Sequence, residues 1–296
     1  MILHTLQNML PGFMPAQIDL HSHSNVSDGM LAPHALVAHA AERGVKVLGL
    51  TDHDDMGGLA AAREAAEQCG IALINGVEIS VTWKRRTLHI VGLKIDDQNA
   101  GLKQALDAVR QGREIRAIEM AQGLAKVGIE GAYEGAKQIA GNAIMTRSHF
   151  AEWLVQQGHA KDVRTVFKKF LVKGKPGFVD FEWMSLEQAV GLILGAGGVA
   201  VIAHPGRYDL GMINMHLLMH EFREHGGSAI EVVTGSHTPP QYQQFAKIAH
   251  RFDLMASQGS DYHGVGRSYI EMGYLPDLPA GCVPVWHDWP EAQHLS

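Results

Sequence analysis

The chain has 296 residues, with 25 lysines and arginines against 31 aspartates and glutamates, for a net charge of −6. That length suits one large barrel-like domain or a barrel carrying an insert, and two isolated cysteines, Cys69 and Cys282, argue against a disulfide framework or thiolate zinc ligation. No apolar run approaches the roughly 20 residues that span a bilayer, and residues 1–15 lack the basic start and long apolar core of a leader, so the expectation is a cytoplasmic protein, neither exported nor anchored.

Gln17 to Leu20 reads as a short strand. A helix follows from Pro33, at a first helical position, through an alanine-rich run to Glu42, with Gly44 just beyond it. Val45 to Leu50, apolar apart from Lys46, reads as a strand buried on both faces. Gly58 to Cys69 is a second alanine-rich helix closed by Gly70, and Ile71 to Ile79 is the next strand. This alternation argues for parallel βα units. Leu88 to Leu93 follows closely enough to form a hairpin across Trp83-Lys84-Arg85-Arg86.

Beyond Gly101 the texture changes to polar helical stretches, Gln104 to Lys126, Phe150 to Gln157 and Val163 to Phe170, which read as an inserted helical subdomain over 101–173. Residues 101–175 hold 13 lysines and arginines against 7 acids, a local +6 that leaves the remainder at −12. A basic segment beside an acidic, histidine-rich body suggests an anionic substrate held over cations. The α/β rhythm resumes with Ser185 to Leu194 as helix, Val199 to Ala203 as strand, Leu217 to His225 as helix, Ala229 to Val233 as strand, Pro240 to Arg251 as helix and Leu254 to Ser257 as strand. The expected division is a barrel over 16–100 and 174–272, the insert, and a Pro-rich tail over 273–296.

His21 and His23 end the first strand two residues apart, so their side chains share a face, and Asp28 returns from the following turn. Taken alone the pair is ambiguous in a chain with 18 histidines. Further donors recur beside later strands: His53 in Thr51-Asp52-His53-Asp54, Glu78 in Gly76-Val77-Glu78, His89 at the start of its strand, His204 before Pro205, and Asp261 and His263 in Ser260-Asp261-Tyr262-His263. Strand ends in parallel α/β architectures converge on one pocket. Six imidazoles and three carboxylates suit zinc, manganese or iron better than calcium or magnesium, and they are enough for two or three ions. His4, His34, His39, His159, His216, His220, His225, His250, His287 and His294 fall on helix patterns or tails and read as structural or solvated.

This ordered set, from Ile18 to His263, resembles the polymerase and histidinol phosphatase (PHP) family. The resemblance implies a distorted (βα)7 barrel with a trinuclear metal centre: His21, His23, Glu78 and Asp261 on one ion, Glu78, His89 and His204 on a second, Asp28, His53 and His263 on a third. The insert, with Arg147-Ser148-His149-Phe150-Ala151, Gly174-Lys175-Pro176 and His204-Pro205-Gly206-Arg207-Tyr208, is similar to a bacterial subgroup acting on nucleotide 3′,5′-bisphosphates and on the 5′ ends of short RNA. The implied chemistry is attack on phosphorus by metal-bound hydroxide, without a protein nucleophile, manganese being the first expectation. Arg207 and Arg147 are candidates for clamping the substrate phosphate, with Lys175 and His149 behind them. His237 and His149 are candidates for the general acid, and Phe178, Phe181 and Trp183 for stacking on a base. Alternatives at this point are a histidinol phosphate phosphatase, an amidohydrolase on a similar barrel, and a non-catalytic RNA-binding module stabilised by metal. No membrane or protein partner is expected, only a small phosphorylated nucleotide or short RNA.

Overall fold

The computed structural model describes residues 16–293 and Leu295, Asn142 excepted. The order of residues 1–14, and the readings of His4 and His294, lie outside the described residues. Eight strands form one sheet: β1 (Ile18–Asp19), β2 (Val47–Leu50), β3 (Ala72–Trp83), β4 (Arg86–Leu93), β5 (Met184–Ser185), β6 (Val199–Ile202), β7 (Ala229–Thr234) and β8 (Met255–Gly259). Seven of them follow the order β1-β2-β3-β4-β6-β7-β8, while β5, absent from the sequence reading, pairs with β3 alone.

The path closes on itself. Leu20 N donates to Gln258 O at 3.0 Å, and beyond the strands Asp261 N donates to His21 O and His23 N to Tyr262 O, both at 2.9 Å. Neighbours are parallel except where β4 runs antiparallel to both β3 and β6. That reversal comes from the two-residue turn Lys84-Arg85, whose φ values of 45° and 60° match the backbone twist a tight hairpin needs. All four residues of β2 are buried, which accounts for its continuous apolar run.

Nine α-helices are described: α1 (Pro33–Glu42), α2 (Leu59–Cys69), α3 (Ala100–Ala125), α4 (Ala132–Ala140), α5 (Arg147–Gln156), α6 (Val163–Val166), α7 (Leu186–Gly195), α8 (Met212–Glu224) and α9 (Pro239–Arg251). Gly70 ends α2 in the left-handed region, at φ 66°, where its N–H reaches Ala66 O. The helices α3 to α6 lie between β4 and β5. Met120, Leu124, Phe150, Leu154 and Leu171 are buried together in a cluster separate from the barrel's.

Several boundaries move outward from the sequence reading because capping side chains recruit extra turns. The Asn99 carboxamide accepts from Leu102 N at 3.0 Å and starts α3 early, and Thr146 caps α5 ahead of the expected Phe150. Helix α4 falls in a glycine-punctuated stretch between the expected helices of the insert. Gly135 lies in it because Trp153 packs where a side chain would stand. The expected helix from Val163 to Phe170 changes at Phe167 into a π-helical segment, Phe167–Leu171.

Candidate metal centre

Barrel closure brings all nine sequence-predicted donors to one rim. His21 and His23 extend from β1 and are fully buried. His53 follows β2 and is bracketed by backbone pairing, Asp54 N to Glu78 O at 2.9 Å and Glu78 N to Asp52 O at 3.1 Å. Its two neighbours are supports. Asp52 accepts from Ser24 N at 2.8 Å and from the hydroxyls of Ser24 and Ser27, each at 2.6 Å. Asp54, at φ 47°, accepts from Ser80 N at 2.7 Å and from Arg113 Nε at 2.8 Å. His89 stands near the start of its strand, yet joins the same rim because β4 runs backwards. His204 and Asp261 both hold left-handed backbone at strand ends, at φ 27° and 55°.

Glu78 is the hub. Its Oε1 lies 2.8 Å from His204 Nε2 and 2.9 Å from His89 Nδ1; its Oε2 lies 2.9 Å from His53 Nδ1, 3.3 Å from His23 Nε2 and 3.4 Å from His21 Nε2. Asp261 Oδ1 approaches His23 Nε2 at 3.2 Å, and Asp28 Oδ1 approaches His263 Nε2 at the same distance. The donors gather into four overlapping sets: His23, Asp28, His53 and His263; His21, Glu78 and His204; His21, His23 and Asp261; His53, Glu78 and His89. Donor atoms in each set lie within 4.8 Å of one another.

The electrostatics favour ionised carboxylates throughout the cluster and neutral imidazoles at His23 and His204, while at His21, His53 and His263 burial is outweighed by the surrounding carboxylates, which shift those three imidazoles upward. Burial works against the Glu78 carboxylate, but His53, His89 and His21 outweigh it and hold the group well below its usual range. Burial is likewise outweighed at Asp28, by His263 and His53, and at Asp261, by His21 and His263. Burial, reinforced by His263 and by Arg207 respectively, pushes His23 and His204 down to about 3 and keeps those imidazoles neutral.

Five buried donor atoms, Asp28 Oδ1, Glu78 Oε2, Asp261 Oδ1, His53 Nδ1 and His89 Nδ1, have no hydrogen-bond partner despite their close approach. One orphaned buried polar atom is costly. Five aimed into a single volume fit cations held among them.

A family model for the PHP domain matches residues 19–178, more than half of the chain. The chain belongs to the PHP family. This PHP protein is 49% identical to the 3′,5′-nucleoside bisphosphate phosphatase of Chromobacterium violaceum over 274 residues, 92% of this chain and 96% of that one. It is 44% identical to the 5′-3′ exoribonuclease Rnm of Escherichia coli over 280 residues, 94% of this chain and 95% of that one. A solved structure described as an amidohydrolase from Chromobacterium violaceum with bound sulfate and no metal has a TM-score of 0.88 at 48% identity, covering 92% of this chain and 95% of that one.

Around the PHP centre, the residues expected to touch substrate divide. Arg207 Nη1 donates to Asp261 Oδ2 at 2.9 Å, which places a guanidinium at the edge of the donor cluster. Arg147, at the start of α5, lines a cavity beside that cluster. Lys175 is exposed, in the bend after residue 173. His149 is buried, and its Nδ1 accepts from Thr146 N at 3.1 Å as part of the α5 cap. The general-acid role considered for His237 meets a physical obstacle: Nε2 accepts from Gly206 N at 2.9 Å and Nδ1 donates to Val232 O at 3.1 Å. Both ring nitrogens are taken up in holding the loop that carries Arg207.

Sequence reasoning missed Glu231, a buried carboxylate inside the otherwise apolar β7. It accepts from His21 Nδ1 at 2.7 Å and from His204 N at 2.5 Å, orienting two donors at once. The only signal was an acid within Ala-Ile-Glu-Val-Val. A carboxylate behind a metal-binding imidazole fixes its tautomer and raises its basicity. Glu231→Gln is expected to weaken metal affinity about 10- to 100-fold, measured by competition with a chromophoric chelator; unchanged affinity would leave Glu231 as a packing residue only.

Proposed function

We propose that this PHP protein is a metal-dependent phosphoesterase that breaks the bond between a nucleotide's 3′ oxygen and phosphorus. The relatives' names describe two reactions with that bond in common. Hydrolysis of a nucleoside 3′,5′-bisphosphate there releases phosphate; hydrolysis of the same bond at an RNA 5′ end releases a 5′-mononucleotide. Water adds to phosphorus and the 3′ oxygen of the 5′-mononucleotide leaves as a hydroxyl in both; the difference is that in RNA the attacked phosphorus also carries the next nucleotide as a second ester.

The observation that carries this reading is the convergence of nine nitrogen- and oxygen-donor residues into four overlapping sets at one rim, with Arg207 at their edge and the basic insert beside them. Two or three divalent transition-metal ions suit that imidazole-rich set, with manganese as the leading candidate and zinc and iron as alternatives. When bound, such ions acidify a water and neutralise charge that develops on the phosphoryl oxygens. The chain's own residues do the rest. Glu78, Asp28 and Asp261, each shared among neighbouring imidazoles, would supply the carboxylates that hold the ions. Glu231 and Tyr208 orient the donors, the latter by accepting from His89 N at 2.8 Å. Arg207, tied to Asp261 by one nitrogen, has its remaining donors for the phosphate that is attacked.

A phosphate-release panel tests the reading, using adenosine 3′,5′-bisphosphate, 5′-AMP, histidinol phosphate and a 5′-phosphorylated short RNA. Selective hydrolysis of the bisphosphate or the RNA is expected. Preference for histidinol phosphate, or equal rates on 5′-AMP, would overturn it. Arg207→Ala is expected to raise KM, lower kcat and reduce kcat/KM about 10- to 100-fold, the loss of one charge-assisted hydrogen bond. Unchanged kinetics would remove Arg207 from the phosphate site.

A further inference from the structure

Glu78 turns both carboxylate oxygens toward imidazoles, whereas Asp28 divides its two. Asp28 Oδ1 faces the donors, 3.2 Å from His263 Nε2 and 3.8 Å from His53 Nε2, and has no hydrogen-bond partner. Oδ2 accepts from the hydroxyls of Ser148 at 3.1 Å and Thr146 at 3.3 Å. Both hydroxyls stand at the start of α5, outside the barrel strands, so the carboxylate also meets the positive end of that helix.

The loop carrying Asp28 is tied to the same helix at two further points. Ile144 N, just ahead of α5, donates to Val26 O at 3.3 Å. Arg267 Nη1 donates to Asp28 O at 3.3 Å, while its Nη2 pairs with Glu152 of α5. On the barrel side the loop has no room to shift, because a side chain in place of Gly29 would collide with His23 O. Elsewhere in the centre the supports come from the barrel: Glu231 accepts from His21 Nδ1 and His204 N, and Tyr208 accepts from His89 N. Asp28 belongs to one donor set, that of His23, His53 and His263. The helices between β4 and β5 hold that set from behind, at Asp28 through α5 and at Asp54, next to His53, through Arg113 of α3.

We propose that Ser148 and Thr146 position Asp28 for one particular ion, so that filling of the set His23, Asp28, His53 and His263 depends on the docking of α5 while the other sets fill without it. This rests on the metal-dependent reading above and adds what controls one of its sites. The two hydroxyls fix the carboxylate's orientation and occupy Oδ2, which leaves Oδ1 as the oxygen offered to the ion. The coupling is reciprocal: an ion that fixes Asp28 also steadies the start of α5. Arg147 stands between the two hydroxyls, so the same docking sets where its guanidinium lies.

Ser148→Ala isolates the effect, because the α5 cap uses the Ser148 backbone N–H, which donates to Thr146 Oγ1 at 3.2 Å, and not its hydroxyl. Full-length protein stripped of metal is titrated with manganese, and bound ions are counted by electron paramagnetic resonance. In Ser148→Ala one ion per chain should bind about 10- to 100-fold more weakly, with the others within about twofold of wild type. Ser148→Thr, which keeps the hydroxyl, should recover most of the loss. In an Asp28→Ala background Ser148→Ala should have no further effect, since it acts through a carboxylate already removed. Equal weakening of every ion, weakening of none, or a full effect in the Asp28→Ala background would overturn the proposal. Hydrolysis of adenosine 3′,5′-bisphosphate gives a second readout. The Ser148→Ala deficit at limiting manganese should disappear at saturating manganese; a deficit that persists would put the hydroxyl on the substrate and defeat the assignment. Wild-type protein that binds no ion would sink the metal centre itself. Selective weakening of one ion in a protein that hydrolyses no phosphate ester would keep the role of Ser148 and discard the phosphoesterase reading.

Discussion

Replacing Glu78 with alanine is expected to abolish metal loading and hydrolysis together while the barrel still folds. The side chain is fully buried and lies against five imidazoles, so no neighbouring acid reaches the same positions. Bound ions contribute several kcal/mol of charge stabilisation to such a reaction, and losing it lowers turnover by about 1,000-fold or more. The fold survives because closure rests on backbone pairing between the ends of β1 and β8 and on the apolar clusters, none of which uses the Glu78 carboxylate. Metal content per chain, measured by elemental analysis alongside near-UV circular dichroism, checks the two halves separately. Wild-type metal content with wild-type turnover would dismiss Glu78 as the hub.

Arg113→Ala is expected to cost about 3–5 kcal/mol of stability, the penalty for leaving one partner of a buried ion pair unpaired. Arg113 lies on α3 but reaches down to the barrel, where Nε and Nη2 donate to Asp54 Oδ2 at 2.8 and 2.5 Å and Nη2 donates to Ser80 Oγ at 2.8 Å. Trp183 covers its other face at 5.0 Å. Removing it strands Asp54, fully buried beside His53 and in an unusual backbone conformation. Metal affinity should therefore fall along with stability. The paired change Asp54→Asn with Arg113→Met should recover much of the stability, because no charge is then stranded, but not the metal affinity. Denaturant unfolding of the metal-free proteins separates the two effects. A loss below about 1 kcal/mol in Arg113→Ala would show that water reaches Asp54.

The donors were legible in the sequence for a physical reason. With no paired cysteines in the chain, side-chain donors for a transition metal come mainly from His, Asp and Glu, and in a parallel sheet such residues at strand ends follow apolar runs that announce themselves. His21, His53, His204 and Asp261 each stand within a few residues of such a run's end. His89 breaks that pattern by preceding its strand, and only the antiparallel course of β4 explains why it belongs to the same rim. Capping side chains were less legible. Asn99 and Thr146 extend α3 and α5 through hydrogen bonds that a periodicity reading does not weigh.

The substrate side was poorly legible. Arg113 and Arg116, three apart on a polar helix, have the pattern of a solvated face. It took the docking of α3 over Trp183 to turn one into a buried anchor and the other into an unpartnered cation. His237 and His149 resembled free histidines near the site until backbone amides were found on their ring nitrogens. Glu231 was one acid among many.

The sequence by itself determined the α/β rhythm, the inserted helices, and the identity and order of the nine donors, because each depends on residue type and local spacing. Tertiary structure alone decided how those donors overlap around Glu78, which carboxylates hold them from behind, and which arginines of the insert lack an acid. Those properties are distances between residues as far apart as His21 and Glu231, and such distances come into being only when the barrel closes.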